Sequence, residues 1–205
     1  AYAEVLGRWS KSPQFTLNLT LFNRLPLHPQ VNQLVGDFTS LILLAIDQRP
    51  TESFEARAQR LQKQLWQDLA HRQVNGVEVL REMAQQRGQQ AATMPVVFTS
   101  ALGLQELQGL DVSAVDWLGE RVYSISQTPQ VWLDQQVLEE QGALLVSWDG
   151  IDELFPEGML DTLFTAYTTL LEQLATTESI WFSHHLPLIP AAQLQQRAVI
   201  NDTAA

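Results

Sequence analysis

The sequence predicts a mixed α/β fold, a two-layer sandwich of a sheet and packed helices, and three observations carry that prediction. Phe15, Leu17, Leu19 and Leu21 alternate with Thr16, Asn18 and Thr20, the period of two of a half-buried strand. Phe54, Ala58, Leu61, Leu65 and Leu69 recur at spacings of three and four between charged and Gln-rich faces, the stripe of an amphipathic helix. Leu160, Leu163, Phe164, Tyr167, Leu170, Leu171 and Leu174 draw a second such stripe near the other end.

Taken in order, residues 1–9 read as the end of a helix with Val5, Leu6 and Trp9 on one side. The alternating strand follows, and Asn23 falls on its leucine face, ending the apolar row. Leu41 to Ile46 is a continuous apolar run, the pattern of a strand buried on both faces. The first long helix begins near Ser53, and a shorter one carries Val77, Leu80 and Met83. Strands are expected at Val96–Phe98, Val122–Ile125 and Ala143–Trp148, then the second long helix. The Gln-rich residues after Pro190 read as a linker or frayed terminus, giving a domain at 1–190 and a linker or tail at 191–205. The chain opens without methionine inside a helix and reads as a piece of something longer.

Composition narrows the function. A chain of 205 residues, 45% hydrophobic, can bury one core and suits one domain or a large half of a bigger one. Its net charge of −11 argues against a nucleic-acid surface, which needs clustered Lys and Arg. The charge is uneven: residues 1–87 hold 10 basic and 8 acidic side chains, residues 88–205 hold 2 and 15. An acidic partner would therefore meet the first segment, with Arg57, Arg60 and Lys63 as docking candidates, unless both segments merely present solvated faces. Without cysteine there is no disulfide and no thiolate ligand or nucleophile. No run approaches the roughly 20 apolar residues of a membrane span, and a soluble cytoplasmic setting is expected.

Several chemistries lack their residues. The histidines at 28, 71, 184 and 185 offer no His-x-x-x-His spacing, and Asp149-Gly150-Ile151-Asp152-Glu153 lacks the ligand ladder of a calcium loop, so no metal is expected. Neither a Gly-x-Ser-x-Gly elbow nor a phosphate-cradling Gly-rich loop is present. The run Gln127-Thr128-Pro129-Gln130-Val131-Trp132-Leu133-Asp134 places a carboxylate at the end of an alternating segment. Val131 and Leu133 face one way there, Trp132 and Asp134 the other. An acidic side chain beside a tryptophan on a half-buried sheet is costly without partners, although Asp also serves at strand ends as a turn or cap residue.

That run has company in Leu19-Thr20-Leu21-Phe22-Asn23-Arg24, in Gly36-Asp37-Phe38-Thr39-Ser40 and in Pro95-Val96-Val97-Phe98-Thr99-Ser100, with Ser147-Trp148-Asp149 beyond. In this order the blocks resemble the later motifs of the heterocyclization domains of nonribosomal peptide synthetases, over nearly the whole chain. The resemblance implies a chloramphenicol-acetyltransferase-like half-domain, the C-terminal half of a condensation-type domain whose N-terminal half is a separate partner. It implies Asp134, Thr99 and Asn23 as active-site residues, with Asp37, Thr39 and Gln130 lining the substrate tunnel or shaping it; Asp37 is read as a backbone cap. It also implies substrates borne on the phosphopantetheine of upstream and downstream carrier domains, an adjoining adenylation domain, and no cofactor in this chain. His184-His185 reads as a solvated pair before a proline turn, since no Asp follows at a condensation motif's offset. Rival readings are an ordinary condensation or epimerization half-domain and a non-catalytic carrier-docking module.

Overall fold

The computed structural model describes residues 1–102, 122–123, 125, 128–140 and 142–201. Among these residues five strands form one sheet: β1 (Gln14–Phe22), β2 (Thr39–Asp47), β3 (Val96–Ser100), β4 (Leu133–Glu140) and β5 (Ala143–Gly150), in the order β2-β1-β3-β4-β5. β1, β3 and β4 run parallel, and β5 returns antiparallel to β4. The helices are α1 (Tyr2–Trp9), α2 (Phe54–Ala70), α3 (Gly76–Arg87), α4 (Met159–Thr176) and α5 (Ala191–Asn201). This is the mixed α/β class that the two periodicities predicted.

The chain divides into two compact units, one of residues 1–15, 46–64 and 155–205 and one of residues 16–45 and 65–154. The first is built on α1 and α4, whose Val5, Leu163 and Leu170 are buried, and Tyr2 meets Tyr167 edge to face at 6.0 Å. Phe54, the buried first residue of α2, packs edge to face on Trp181 at 5.3 Å. Glu4 is buried in this unit and takes both arms of Arg57, at 2.6 Å and 3.1 Å, so the charge is matched where burial would otherwise be prohibitive. Arg60 is likewise committed, to the Glu52 carboxylate and the Asp47 carbonyl. Of the three docking candidates, two are thus spent on internal pairs, a use that charge counting along a sequence does not reveal. His184 and His185 are exposed, and the Ser183 hydroxyl donates to the His185 carbonyl.

The second unit holds most of the sheet, with Leu17, Leu19, Ile42, Leu44, Leu133 and Val137 buried. α3 starts at an Asn75 cap whose Oδ1 accepts from the Val77 N–H. Gly76 follows because a Cβ there would stand 2.9 Å from the Leu41 carbonyl oxygen.

Three sequence expectations change. The Leu41 to Ile46 run is not buried on both faces: among the described residues β2 is an edge strand, and only Ile42, Leu44 and Ile46 are buried in it. Val122, Tyr123 and Ile125 belong to no strand, and residue 124 lies outside the described residues. Asp134 stands at the start of a strand and not at its end, because Thr128–Val131 is a turn. Pro129 has no N–H to give a ladder, Gln130 adopts φ 68°, and Val131 N–H donates back to the Thr128 carbonyl at 3.2 Å. The residues from 191 to 201 are helical, and Trp9 Nε1–H donates to Gln193 Oε1.

Candidate active site on the polar face of the sheet

Strand alternation gives the sheet two unlike faces. One carries Leu17, Leu19, Val96, Phe98, Leu133 and Val137 together with the fully buried Gln135. The other is defined by two rows of lateral partners: Asn18, Val97, Asp134 and Asp149 in the first, Thr20, Thr99, Gln136 and Ser147 in the second. Seven of these eight side chains are polar, and Asn18 and Asp134 are nonetheless buried, with Asp134 only 8% exposed. Polar groups are buried on a sheet at a cost of roughly 1–3 kcal/mol each unless hydrogen bonds compensate, so their partners matter.

The partners form two linked sets. Thr99 Oγ1–H donates to Thr20 Oγ1 at 2.9 Å, across the β1–β3 pair. Gln136 Nε2–H donates to Asp134 Oδ2 at 3.4 Å, along β4. Gln136 is the lateral partner of Thr99, so it stands between the hydroxyl pair and the carboxylate. Asn18 Nδ2–H donates to the Met94 carbonyl, just ahead of β3. Thr99 and Asp134 are one row apart on neighbouring strands, about 8 Å between backbones at the usual strand spacing and rise. Gln136 is thus one side chain that reaches the carboxylate, while Thr99 donates to Thr20.

The structure thus brings Thr99 and Asp134 to one face, as two of the three expected active-site residues. Asn23 lies one residue past β1, its main-chain N–H donating to the Phe38 carbonyl at 2.9 Å. It is five residues further along that strand than the Asp134 row, some 16 Å by strand rise. Asp37 and Thr39 sit at the entry to β2, where Asp37 Oδ1 accepts from the Thr39 N–H at 2.8 Å. Hydrogen bonds from Thr39 hold this carboxyl below the ordinary carboxylate value, the cap reading of Asp37. Arg24 closes the same loop, donating to the carbonyl of Leu34 at 2.9 Å and to that of Val31, with its guanidinium 3.8 Å from the centre of the Phe38 ring. Gln130 occupies the turn four residues before Asp134. Sequence reasoning passed over Gln136, Thr20 and Asn18. The period of two from Asp134 and from Thr99's partner strand would have found the first two.

A condensation-domain family model matches residues 1–184, and the chain belongs to that family. Among its relatives is the pyochelin synthetase PchF of Pseudomonas aeruginosa, 49% identical over 88% of this chain and 10% of PchF. The phenyloxazoline synthase MbtB of Mycobacterium tuberculosis is 44% identical over 100% of this chain and 14% of MbtB. Among solved structures, the EpoB cyclization-docking bidomain from Sorangium cellulosum superimposes with a TM-score of 0.78 at 48% identity, over 88% of this chain and 36% of that one. The nonribosomal peptide synthetase FmoA3 superimposes with a TM-score of 0.86 at 37% identity, over 100% of this chain and 22% of that one. The chain therefore spans a small fraction of each relative. At 16% identity and a TM-score of 0.62, the first condensation domain of the CDA synthetase shares the fold. No described helix is long and apolar enough to cross a membrane.

Proposed function

We propose that this chain is part of a heterocyclization domain. Its domain joins a carrier-bound acyl or peptidyl thioester to Cys, Ser or Thr on a second carrier and cyclodehydrates the amide to a thiazoline or oxazoline. The observation that carries the reading is a buried carboxylate, Asp134, held by Gln136 in a polar band that also contains the Thr20–Thr99 hydroxyl pair. The names of the relatives, a phenyloxazoline synthase and a cyclization-docking bidomain, point the same way.

The chemistry requires such a group. The amine displaces the thioester readily once the two are oriented, because thiolate is a good leaving group and positioning supplies much of the acceleration. Ring closure is harder. The Cys, Ser or Thr side chain must lose its proton as it attacks the amide carbonyl, and the resulting carbinolamine must expel its hydroxyl as water. A positioned carboxylate takes the first proton and delivers it to the oxygen that leaves, general acid–base work worth about 10² to 10⁴ in rate. Asp134 has the burial for it. Thr99 faces the same side; its proton is donated to Thr20, so its oxygen accepts from the carbinolamine hydroxyl, and Asn23, lying further along, donates to a substrate carbonyl.

Both substrates arrive on phosphopantetheine arms of carrier domains, with an adenylation domain loading the acceptor, in a cytoplasmic synthetase. The test is reconstitution of the whole domain containing this chain with loaded carriers. Mass spectrometry should find carrier-bound product lighter than the linear amide by one water. Linear amide alone, under conditions where condensation is complete, would assign the chain to an ordinary condensation domain.

A further inference from the structure

The first compact unit holds an open cavity of about 100 Å³ that the chemistry at Asp134 does not use. Its walls come from three separate stretches of the chain: Glu4 and Arg8 of α1, Thr51 and Arg57 at the approach to α2 and in its first turn, and His184 and His185 beyond α4. All six residues belong to that one unit. Two guanidinium charges meet one carboxylate there, which leaves one positive charge.

The surplus charge sits on Arg8. Glu4 is spent on Arg57, which grips its two oxygens at 2.6 Å and 3.1 Å and also donates to the Glu52 carbonyl. The neighbouring acids are spent as well, Glu52 on Arg60 and Asp47 on Arg49. Arg8 reaches Glu4 only at 3.9 Å, outside hydrogen-bond distance, and its Nε–H has no partner among the described residues. About a third of its side chain, 32%, is open to solvent, so its other nitrogens are within reach of a ligand. His184, His185 and Thr51 are exposed at the same cavity and add imidazole and hydroxyl donors to that guanidinium.

We propose that this cavity binds a phosphate-class oxyanion, either free phosphate or the phosphoryl end of a small phosphate monoester. The guanidinium fork matches two oxygens of such a group, and the imidazoles and the hydroxyl meet the others from different segments. A tetrahedral phosphoryl group has oxygens for donors on several sides, whereas a carboxylate has two in one plane. Bound there, it ties α1, the approach to α2 and the segment after α4 together, and therefore stabilises the folded domain. Asp134 belongs to the other unit, and the proposal holds whichever condensation chemistry the domain performs.

The experiment uses the whole domain containing this chain, with ionic strength held constant by sodium chloride so that general screening cancels. Calorimetric titration with inorganic phosphate, and separately with glycerol 3-phosphate, should show a site with a dissociation constant on the order of 1 mM, the range of two or three charge-assisted hydrogen bonds at a solvated site. Arg8→Gln should weaken phosphate binding about tenfold and His185→Gln about threefold. Lys63→Gln, which removes an exposed cation of α2 outside the cavity lining, should leave it unchanged. Similar affinity for both ligands supports a phosphoryl site open to esters, and binding of inorganic phosphate alone supports a site for the free ion. Acetate bound as tightly as phosphate would overturn the phosphate class. No saturation by about 20 mM phosphate, or saturation that Arg8→Gln leaves intact, would overturn the site. Thermal melting in chloride shows whether Arg8→Gln folds. If it does not, the double variant His184→Gln and His185→Gln, made at exposed side chains, carries the same test, and undiminished phosphate binding there would overturn the site.

Discussion

Gln130 holds φ 68°, a left-handed conformation that costs a non-glycine residue about 1 kcal/mol or more, in a turn where glycine would be relaxed. Gln130→Gly should therefore raise the urea midpoint of the intact domain, and a lower midpoint would show that the side chain stabilises the turn. Arg57 presents the opposite case. Its side chain and that of Glu4 are 11% and 9% exposed, and Arg57→Ala would strand the carboxylate, costing about 3 kcal/mol in a denaturant titration. A loss below about 1 kcal/mol would mean that water reaches Glu4. Asp37 and Asp47 are held below their ordinary value of 3.8, by hydrogen bonds from Thr39 and Arg49 respectively. Both are native-state depressions, so their stabilising effect is complete above about pH 4 and is lost as pH falls through the lowered folded values. Asp37→Ala should accordingly flatten the acid side of the melting profile below about pH 4. Of the candidate site, Asp134 and Thr99 were named from their motifs, and the register places them on one face. Gln136 was not, because a glutamine inside a strand carries no signal until register places it beside Thr99 and Asp134.

At the level of elements, β1 and the long helices were legible because a single buried face imposes one period over many residues. β4 was misread. The apolar alternation of Val131 and Leu133 runs through a turn into a strand, and only Pro129 hinted that the ladder could not begin earlier. β2 misled in the other direction, since an apolar run marks burial on both faces only for a central strand, and edge position is set by topology. β4 is the element on which the site depends: Leu133, 1% exposed, anchors the apolar face while the next residue is Asp134. Leu133→Ala should cost about 3 kcal/mol and lower amide and heterocycle formation together, because it loosens the strand as a unit. A selective loss of heterocycle in that variant would tie Leu133 to ring closure itself.

For the molecule as a whole, the chain matches 36% of the cyclization-docking bidomain and exposes large apolar side chains, with Leu27 85%, Val122 91% and Val35 104% accessible. Where such side chains gather into one patch they mark contacts with other protein. Residues 1–205 alone should bind a hydrophobic dye, self-associate in sedimentation and make neither amide nor heterocycle; a clean, dye-negative monomer would mean that these side chains need no cover. The charge asymmetry along the chain was legible, yet which cations stay available was not, because pairing of Arg57 with Glu4 and of Arg60 with Glu52 exists only in the fold. The central claim is that a polar band on one sheet face performs cyclodehydration through Asp134. Asp134→Asn in the whole domain keeps size and hydrogen bonding while removing the titratable proton, and mass spectrometry of carrier-bound product reads the outcome. The account predicts linear amide accumulating at the wild-type rate with heterocycle reduced about 10² or more. Heterocycle at wild-type levels would contradict it.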